Sequence, residues 1–212
     1  MKIALTGGIA CGKSTLAKFL RELGIRLLDA DDVVHELEAP GGEAVQAIAE
    51  RFGRSVIAED GSVDRRALAR IVFSDATARS DLEAILFPLV RSRMRAFAQV
   101  VEDQPRISVI PLLFESHWES DYDTIIAIAS PECQQIDRMI STRGYTRAEA
   151  MARLAAQMPV SEKAARSDFV VSNDSTPVHL KEEARRVFAW LKERDKNEHR
   201  TNRGTSSVVV AR

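Results

Sequence analysis

An α/β fold, a parallel β-sheet flanked by helices with a helical insertion and a short lid, is predicted by three observations. A short apolar run, Lys2 to Thr6, ends in Gly7 and Gly8 and gives way to helical periodicity. Between Gly41 and Val101 almost nothing reads as strand. Short buried strands then resume from Ile107 to Ile110 and from Thr124 to Ala129.

Each element follows in order. Leu16, Phe19, Leu20 and Leu23 recur at helical spacing after the first strand, and Gly24 closes that helix. Ile25 to Leu28 is a second strand, ending in Asp29-Ala30-Asp31-Asp32. Strand, helix and strand in immediate succession build a parallel sheet. Val45, Ile48, Ala49 and Phe52 mark a helix that stops at Gly53, and Asp60-Gly61 is a turn. Leu68, Ile71 and Val72 mark another helix. Leu82, Leu86, Leu89, Phe97 and Val101 mark a long one, with Arg91, Arg93 and Arg95 on a solvated face. A helix after Pro131 carries Arg138 and Arg143, and a polar helix spans Thr146 to Gln157. Phe169 to Val171 is the last strand. Leu180, Ala184, Val187, Phe188 and Leu191 make a closing amphipathic helix.

At 212 residues the chain suits one domain with an insertion. The expected division is a single domain over 1–195: a core of 1–38 and 105–195, an insertion over about 40–103 and a lid over about 138–160. Residues 196–212 are polar and aperiodic until Val208-Val209-Val210, and read as an unstructured tail. Thirty basic residues against thirty-one acidic give a net charge of −1, which argues against nucleic-acid binding by bulk charge. Only Cys11 and Cys133 are present, too few for a disulfide framework, so a reducing cytoplasm is expected. No apolar run approaches the ~20 residues of a membrane span. Gly7, Gly8, Gly12 and Lys13 interrupt the one stretch that faintly resembles a signal peptide. Oligomeric state is not legible; a monomer is the default.

Gly7-Gly8-Ile9-Ala10-Cys11-Gly12-Lys13-Ser14 matches G-x-x-x-x-G-K-[ST]. Glycines let the backbone wrap so that its N–H groups point at phosphate oxygens, and the following helix adds its N-terminal partial charge. Lys13 reaches the β- and γ-phosphates, and Ser14 offers its hydroxyl to Mg²⁺. The match sits between a predicted strand and a predicted helix, the context that such a P-loop NTPase core requires. GTPases usually carry N-K-x-D to read guanine; the segment does not occur, and no Lys has an Asp two residues later. A helical insertion and an arginine-bearing late helix suit a small-molecule kinase, whose lid closes over ATP. A slowly hydrolysing regulatory module, or a kinase for another nucleotide or a shikimate-like alcohol, are the competing readings.

Asp29, Asp31 and Asp32 fall where the second strand ends, and in open parallel sheets ligands lie at the strands' carboxyl ends. An acceptor hydroxyl needs a carboxylate to orient it or take its proton. Asp29 or Asp32 equally suits a helix N-cap. Arg138 and Arg143 can spread charge on a transferring phosphoryl group, and Arg143 beside Gly144 suits a loop. Cys11 lies between the start of a helix and Lys13, a setting that lowers a thiol's pKa. It reads either as a reactive thiol that ATP protects or as a small packing residue.

Ile3-Ala4-Leu5-Thr6-Gly7-Gly8-Ile9, Gly12-Lys13-Ser14-Thr15 and Asp29-Ala30-Asp31 together resemble the dephospho-coenzyme A kinase family. Phe52-Gly53, Asp60-Gly61, Asp64-Arg65, Leu68 and Phe73 fit its helical insertion, and Pro111-Leu112-Leu113-Phe114-Glu115 its central segment. Gln157-Met158-Pro159 with Lys163, and Asp168-Phe169-Val170 with Asn173, fit its lid and last strand. The resemblance covers roughly residues 2 to 192. It implies transfer of the γ-phosphoryl of ATP to the ribose 3′-hydroxyl of dephospho-CoA, the last step of CoA synthesis. It further implies Asp31 as catalytic carboxylate and Arg65, Leu112 and Leu113 as acceptor-pocket residues. Gly8, Ile9, Ala10, Cys11, Gly12, Lys13, Ser14 and Thr15 would hold ATP, with Arg138 and Arg143. The sequence departs from the family at Ala10-Cys11, which stand for glycine-serine, so Ala10 is expected at negative φ. Phe87 stands where the family often has histidine, and Arg143 lies one residue later than the commonest form.

Overall fold

The structure, a computed structural model, describes residues 1–100 and 104–205. In chain order it contains β1 (Ile3–Gly7), α1 (Lys13–Glu22), β2 (Arg26–Asp29), α2 (Ala30–Leu37), α3 (Val45–Phe52), α4 (Arg65–Ser74) and α5 (Ala76–Gln99). Then come β3 (Arg106–Val109), β4 (Thr124–Ala129), α6 (Glu132–Arg143), α7 (Arg147–Ala155), α8 (Val160–Ala165), β5 (Phe169–Ser172) and α9 (Pro177–Thr205). The strands form one sheet in the order β2-β3-β1-β4-β5. β1 pairs in parallel with β3 and with β4, aligning Ile3 with Ile107 and with Thr124. β4 pairs in parallel with β5, Ile126 opposite Phe169.

The chain divides into two compact units, Met1–Leu27 with Val101–Arg212, and Leu28–Val100. The second therefore takes in the end of β2 and all of α2, as well as the stretch the sequence marks as an insertion as far as Val100.

In the first unit every residue of β1 is buried, as a central strand covered on both faces requires. Leu16 and Leu20 of α1 and Leu180, Ala184, Val187 and Leu191 of α9 share a core with Ile3, Ile107 and Ile126. The periodicity read in the sequence is thus a packing pattern. α7 opens with a capping box: Thr146 and Glu149 satisfy each other's backbone N–H groups. Those same bonds from Thr146 hold the Glu149 carboxyl below its ordinary range. Two features depart from expectation. α8 is a helix where none was read, because its six residues are too few to show a period. α9 continues to Thr205, into the stretch expected as tail. Once a helix is nucleated, Lys, Glu and Arg propagate it at little cost. Val208-Val209-Val210 lie outside the described residues.

In the second unit the helix starts are written in aspartates. Asp29 accepts from the Asp31 N–H, Asp64 from Arg66 and Ala67, and Asp75 from Thr77 and Ala78. Gly53, at φ 87, ends α3. Apart from the end of β2, the described residues here hold no strand longer than the isolated antiparallel bridge Ile57–Val63. α5 passes through Pro88, which removes one ladder N–H. Arg93 pairs with Glu43 on the exposed face of α5.

Candidate active site

The phosphate loop joins β1 to α1. Gly7 sits at φ 151, and a Cβ there would stand 2.4 Å from the Ile128 carbonyl oxygen of β4. Gly12, at φ 92, is the N-cap of α1, and a Cβ there would meet the Asn173 amide at 2.4 Å. Only glycine fits either position. Ala10 contradicts its expectation: its φ is +56, in the left-handed region. Its methyl group is tolerated there at a cost of roughly 1 kcal/mol, because the surrounding bonds dictate the turn.

Those bonds come from distant elements. Asn173, just past β5, donates its Nδ2 to the Cys11 carbonyl at 2.9 Å. Arg138 Nη1 donates to the Ala10 carbonyl at 3.2 Å and to Ser130 Oγ at 2.9 Å. Its Nη2 donates to Gln134 Oε1 and to the Asn173 carbonyl, both at 3.0 Å. Ser130 Oγ donates to the Asn173 carbonyl at 2.6 Å. Gln157, past the end of α7, accepts from the Ile9 N–H at 3.1 Å. The loop is thus braced from α6, from the end of β5 and from the segment that follows α7.

Lys13 Nζ donates to the Gly7 and Gly8 carbonyls, each at 2.8 Å, across the mouth of the loop. Ser14 and Thr15 lie exposed on the first turn of α1. Arg143 is the last residue of α6, not a loop residue, and is exposed; Gly144 at φ 68 ends the helix. Cys11 is fully buried and packs in the sheet core. Burial pushes its thiol pKa up, against the smaller opposing pull of the Lys13 charge. The reactive-thiol reading is therefore corrected: desolvation outweighs the nearby ammonium, and Cys11 is a packing residue.

After β3, Leu113 is fully buried and Leu112 carries the exposed surface of that segment. Beside it lies an ion pair whose lysine is buried. Lys163 is 0% exposed and its Nζ donates to Glu115 Oε1 at 2.7 Å and to the Pro111 carbonyl at 2.8 Å. The same Glu115 oxygen accepts from the Met158 N–H. These bonds tie the Pro111–Glu115 turn to α8 and to Met158 before it. No local pattern signals them; only the family resemblance had marked Lys163.

The second unit holds a cavity of about 450 Å³. Asp31, Val34, His35 and Glu38 line it from α2 and the residue that ends it, at i, i+3, i+4 and i+7 of one helical face. Arg65, Leu68, Val72 and Phe73 line it from α4. Asp31 is exposed at the first turn of α2, and Asp29 serves as the cap. Glu38 accepts from Arg65 Nε at 2.7 Å. Glu38 and His35 went unread in the sequence because nothing local distinguishes them from ordinary polar positions.

A parallel sheet in this order, with a glycine-built phosphate loop after its central strand, defines the class of P-loop kinases. A shikimate kinase from Acinetobacter baumannii shares the fold at a TM-score of 0.52 and 14% identity, covering 91% of this chain and 93% of its own. Within that class the chain belongs to the dephospho-CoA kinase family, whose model matches residues 1–179. It is 43% identical over 199 residues to a dephospho-CoA kinase of Anaeromyxobacter dehalogenans, covering 90% of this chain and 92% of the relative. A solved dephospho-CoA kinase from Campylobacter jejuni aligns with a TM-score of 0.69 at 25% identity, over 91% and 98% of the two chains. The protein TT1252 from Thermus thermophilus aligns with a TM-score of 0.73 at 35% identity, over 90% and 96%.

Proposed function

We propose that the chain transfers the γ-phosphoryl group of ATP to the ribose 3′-hydroxyl of dephospho-CoA, giving CoA and ADP, the last step of CoA biosynthesis. The observation that carries this reading is the family match over residues 1–179, which includes both the phosphate loop and the Asp31-bearing cavity wall. Main-chain N–H groups of the loop and the positive end of α1 hold the ATP phosphates, while the Ile9 and Cys11 N–H groups are engaged by Gln157 and by the Gly8 carbonyl. The Lys13 ammonium exchanges its loop carbonyls for phosphate oxygens. Arg138 acts on ATP through the loop, since both its terminal nitrogens brace main chain or its neighbours. Arg143 reaches the nucleotide only if the lid brings it there.

Ser14 offers one hydroxyl beside phosphates that supply further oxygens, a donor set that fits Mg²⁺. Bound there, Mg²⁺ supplies charge neutralisation for the phosphates. Asp31 accepts the proton of the acceptor hydroxyl, or orients it, as that oxygen forms its bond to the γ-phosphorus. Arg65 and Leu112 bind the acceptor; Leu113, fully buried, offers it no surface. The stretch over about 40–103, which with α2 lines the cavity, serves the acceptor and about 138–160 serves as the lid. A small-molecule acceptor needs no nucleic acid or membrane surface, and a monomer suffices. The free thiols Cys11 and Cys133 suit the cytoplasm.

The test is ADP release from ATP with and without dephospho-CoA. A large increase on adding the acceptor is expected; equal rates would leave a nucleotide-binding module that merely hydrolyses ATP.

A further inference from the structure

Glu38 is a buried acid with no task in the transfer just described. It ends α2 and is 6% exposed. Its carbonyl accepts from the Val63 N–H at 2.9 Å, and its Oε2 accepts from Arg65 Nε at 2.7 Å. Main chain and side chain together thus fasten the end of α2 to the start of α4. A carboxylate buried this far requires a counter-charge, and Arg65 supplies it. The contact is one-sided, however. Among the described residues Arg65 bonds only through Nε, its side chain is 43% exposed, and it stands in the cavity wall. Gripping a guanidinium at Nε leaves its two Nη groups as a parallel fork for a pair of anionic oxygens.

We propose that Glu38 is a positioning residue: it acts through Arg65, holding that fork ready for an anionic group of the acceptor and so setting acceptor affinity. The inference rests on the proposed transfer to dephospho-CoA, whose pyrophosphate is the matching anion. Two physical consequences follow from the geometry. An arginine on a cavity wall samples many rotamers, and freezing it beforehand removes that cost from binding. Asp31 and Glu38 are seven residues apart on one helical face, a rise of about 10 Å along the axis. The helix therefore sets the spacing between the group that meets the hydroxyl and the residue that anchors Arg65.

Glu38→Gln keeps the shape and one acceptor oxygen but removes the charge. It should raise KM for dephospho-CoA about tenfold, the scale of one charge-assisted hydrogen bond loosened. KM for ATP should stay unchanged and kcat should hold within about twofold. Glu38→Asp, which keeps the charge and withdraws it by one methylene, should fall between wild type and Glu38→Gln, and guards against a variant that does not fold. In an Arg65→Met background Glu38→Gln should raise KM no further, because the residue through which it acts is gone. An unchanged acceptor KM in Glu38→Gln, equal rises in both KM values, or additivity with Arg65→Met overturns the assignment. Wild-type protein whose ADP release ignores dephospho-CoA removes the proposed function and this inference with it. Wild-type turnover with an insensitive Glu38→Gln removes only the role of Glu38.

Discussion

The phosphate loop offers its ligand mostly main chain, whereas the cavity along α2 offers side chains. In the loop, φ values of 92 at Gly12 and 56 at Ala10 curl the backbone, and Asn173, Ser130 and Arg138 hold that curl from behind. Along α2, an ordinary helix with ordinary dihedrals presents a carboxylate, an apolar residue, an imidazole and a second carboxylate on one face. On the proposed function the loop's task is to recognise what all nucleoside triphosphates share, and main-chain amides suffice for that. An acceptor must be distinguished from other alcohols, which takes side chains of particular charge and reach. The two regions should therefore fail differently when altered.

The largest effect is expected on the cavity side. Asp31→Asn should lower kcat by about 10²- to 10⁴-fold, the range for a positioned proton acceptor, with ATP affinity little changed. Steady-state kinetics with each substrate varied decides it. If kcat holds and only KM for dephospho-CoA rises, Asp31 binds the acceptor without taking its proton. On the loop side, Lys13→Ala should cost about 10²- to 10³-fold in kcat, as loss of one preorganised charge does. Its circular dichroism should match wild type, because the lysine's bonds to Gly7 and Gly8 are replaceable by water. Near-normal turnover in the folded variant would contradict the assignment of the loop.

A smaller effect sharpens the main-chain side of the contrast. Ala10→Gly removes a Cβ from a left-handed residue and should stabilise the protein by up to about 1 kcal/mol, or roughly 2–4 °C in Tm. Activity should not change. A loss of stability would mean that the Ala10 methyl contributes packing that outweighs its strain. The smallest effect concerns the two thiols. In native protein an alkylating reagent should modify exposed Cys133 well before buried Cys11. Burial raises the Cys11 pKa in the folded chain above the ordinary 9.0, so its contribution to stability is complete below that pH and is lost as pH rises through the folded value. Relative to Cys11→Ser, wild-type Tm should fall as pH climbs past about 9. A difference that stays flat with pH would show that the thiol does not ionise later in the fold than in the unfolded chain.

Much of this was open to reading in the sequence. α3 begins and ends where its periodicity and Gly53 say, because amphipathic spacing and a left-handed stop are local properties. Asp29 could be foreseen as a cap for the same reason. α8 escaped because a helix of under two turns shows no period, and its Lys163 is buried by a partner, Glu115, far along the chain. Cys11 misled because charge proximity is visible in sequence whereas desolvation is not.

The sequence by itself determined the phosphate loop, the helix starts and the helix faces, since each depends on the conformational and packing preferences of residues within a few positions of one another. Only the tertiary structure decided what those pieces do together. It set Asn173 on the Cys11 carbonyl across 162 positions, turned Arg138 inward onto Ala10 across 128, and sank Cys11 into the core. It also joined Glu38 to Arg65 in the wall of a cavity. Hydrogen bonds and burial between distant positions depend on how elements stack in space, and no spacing along the chain encodes that.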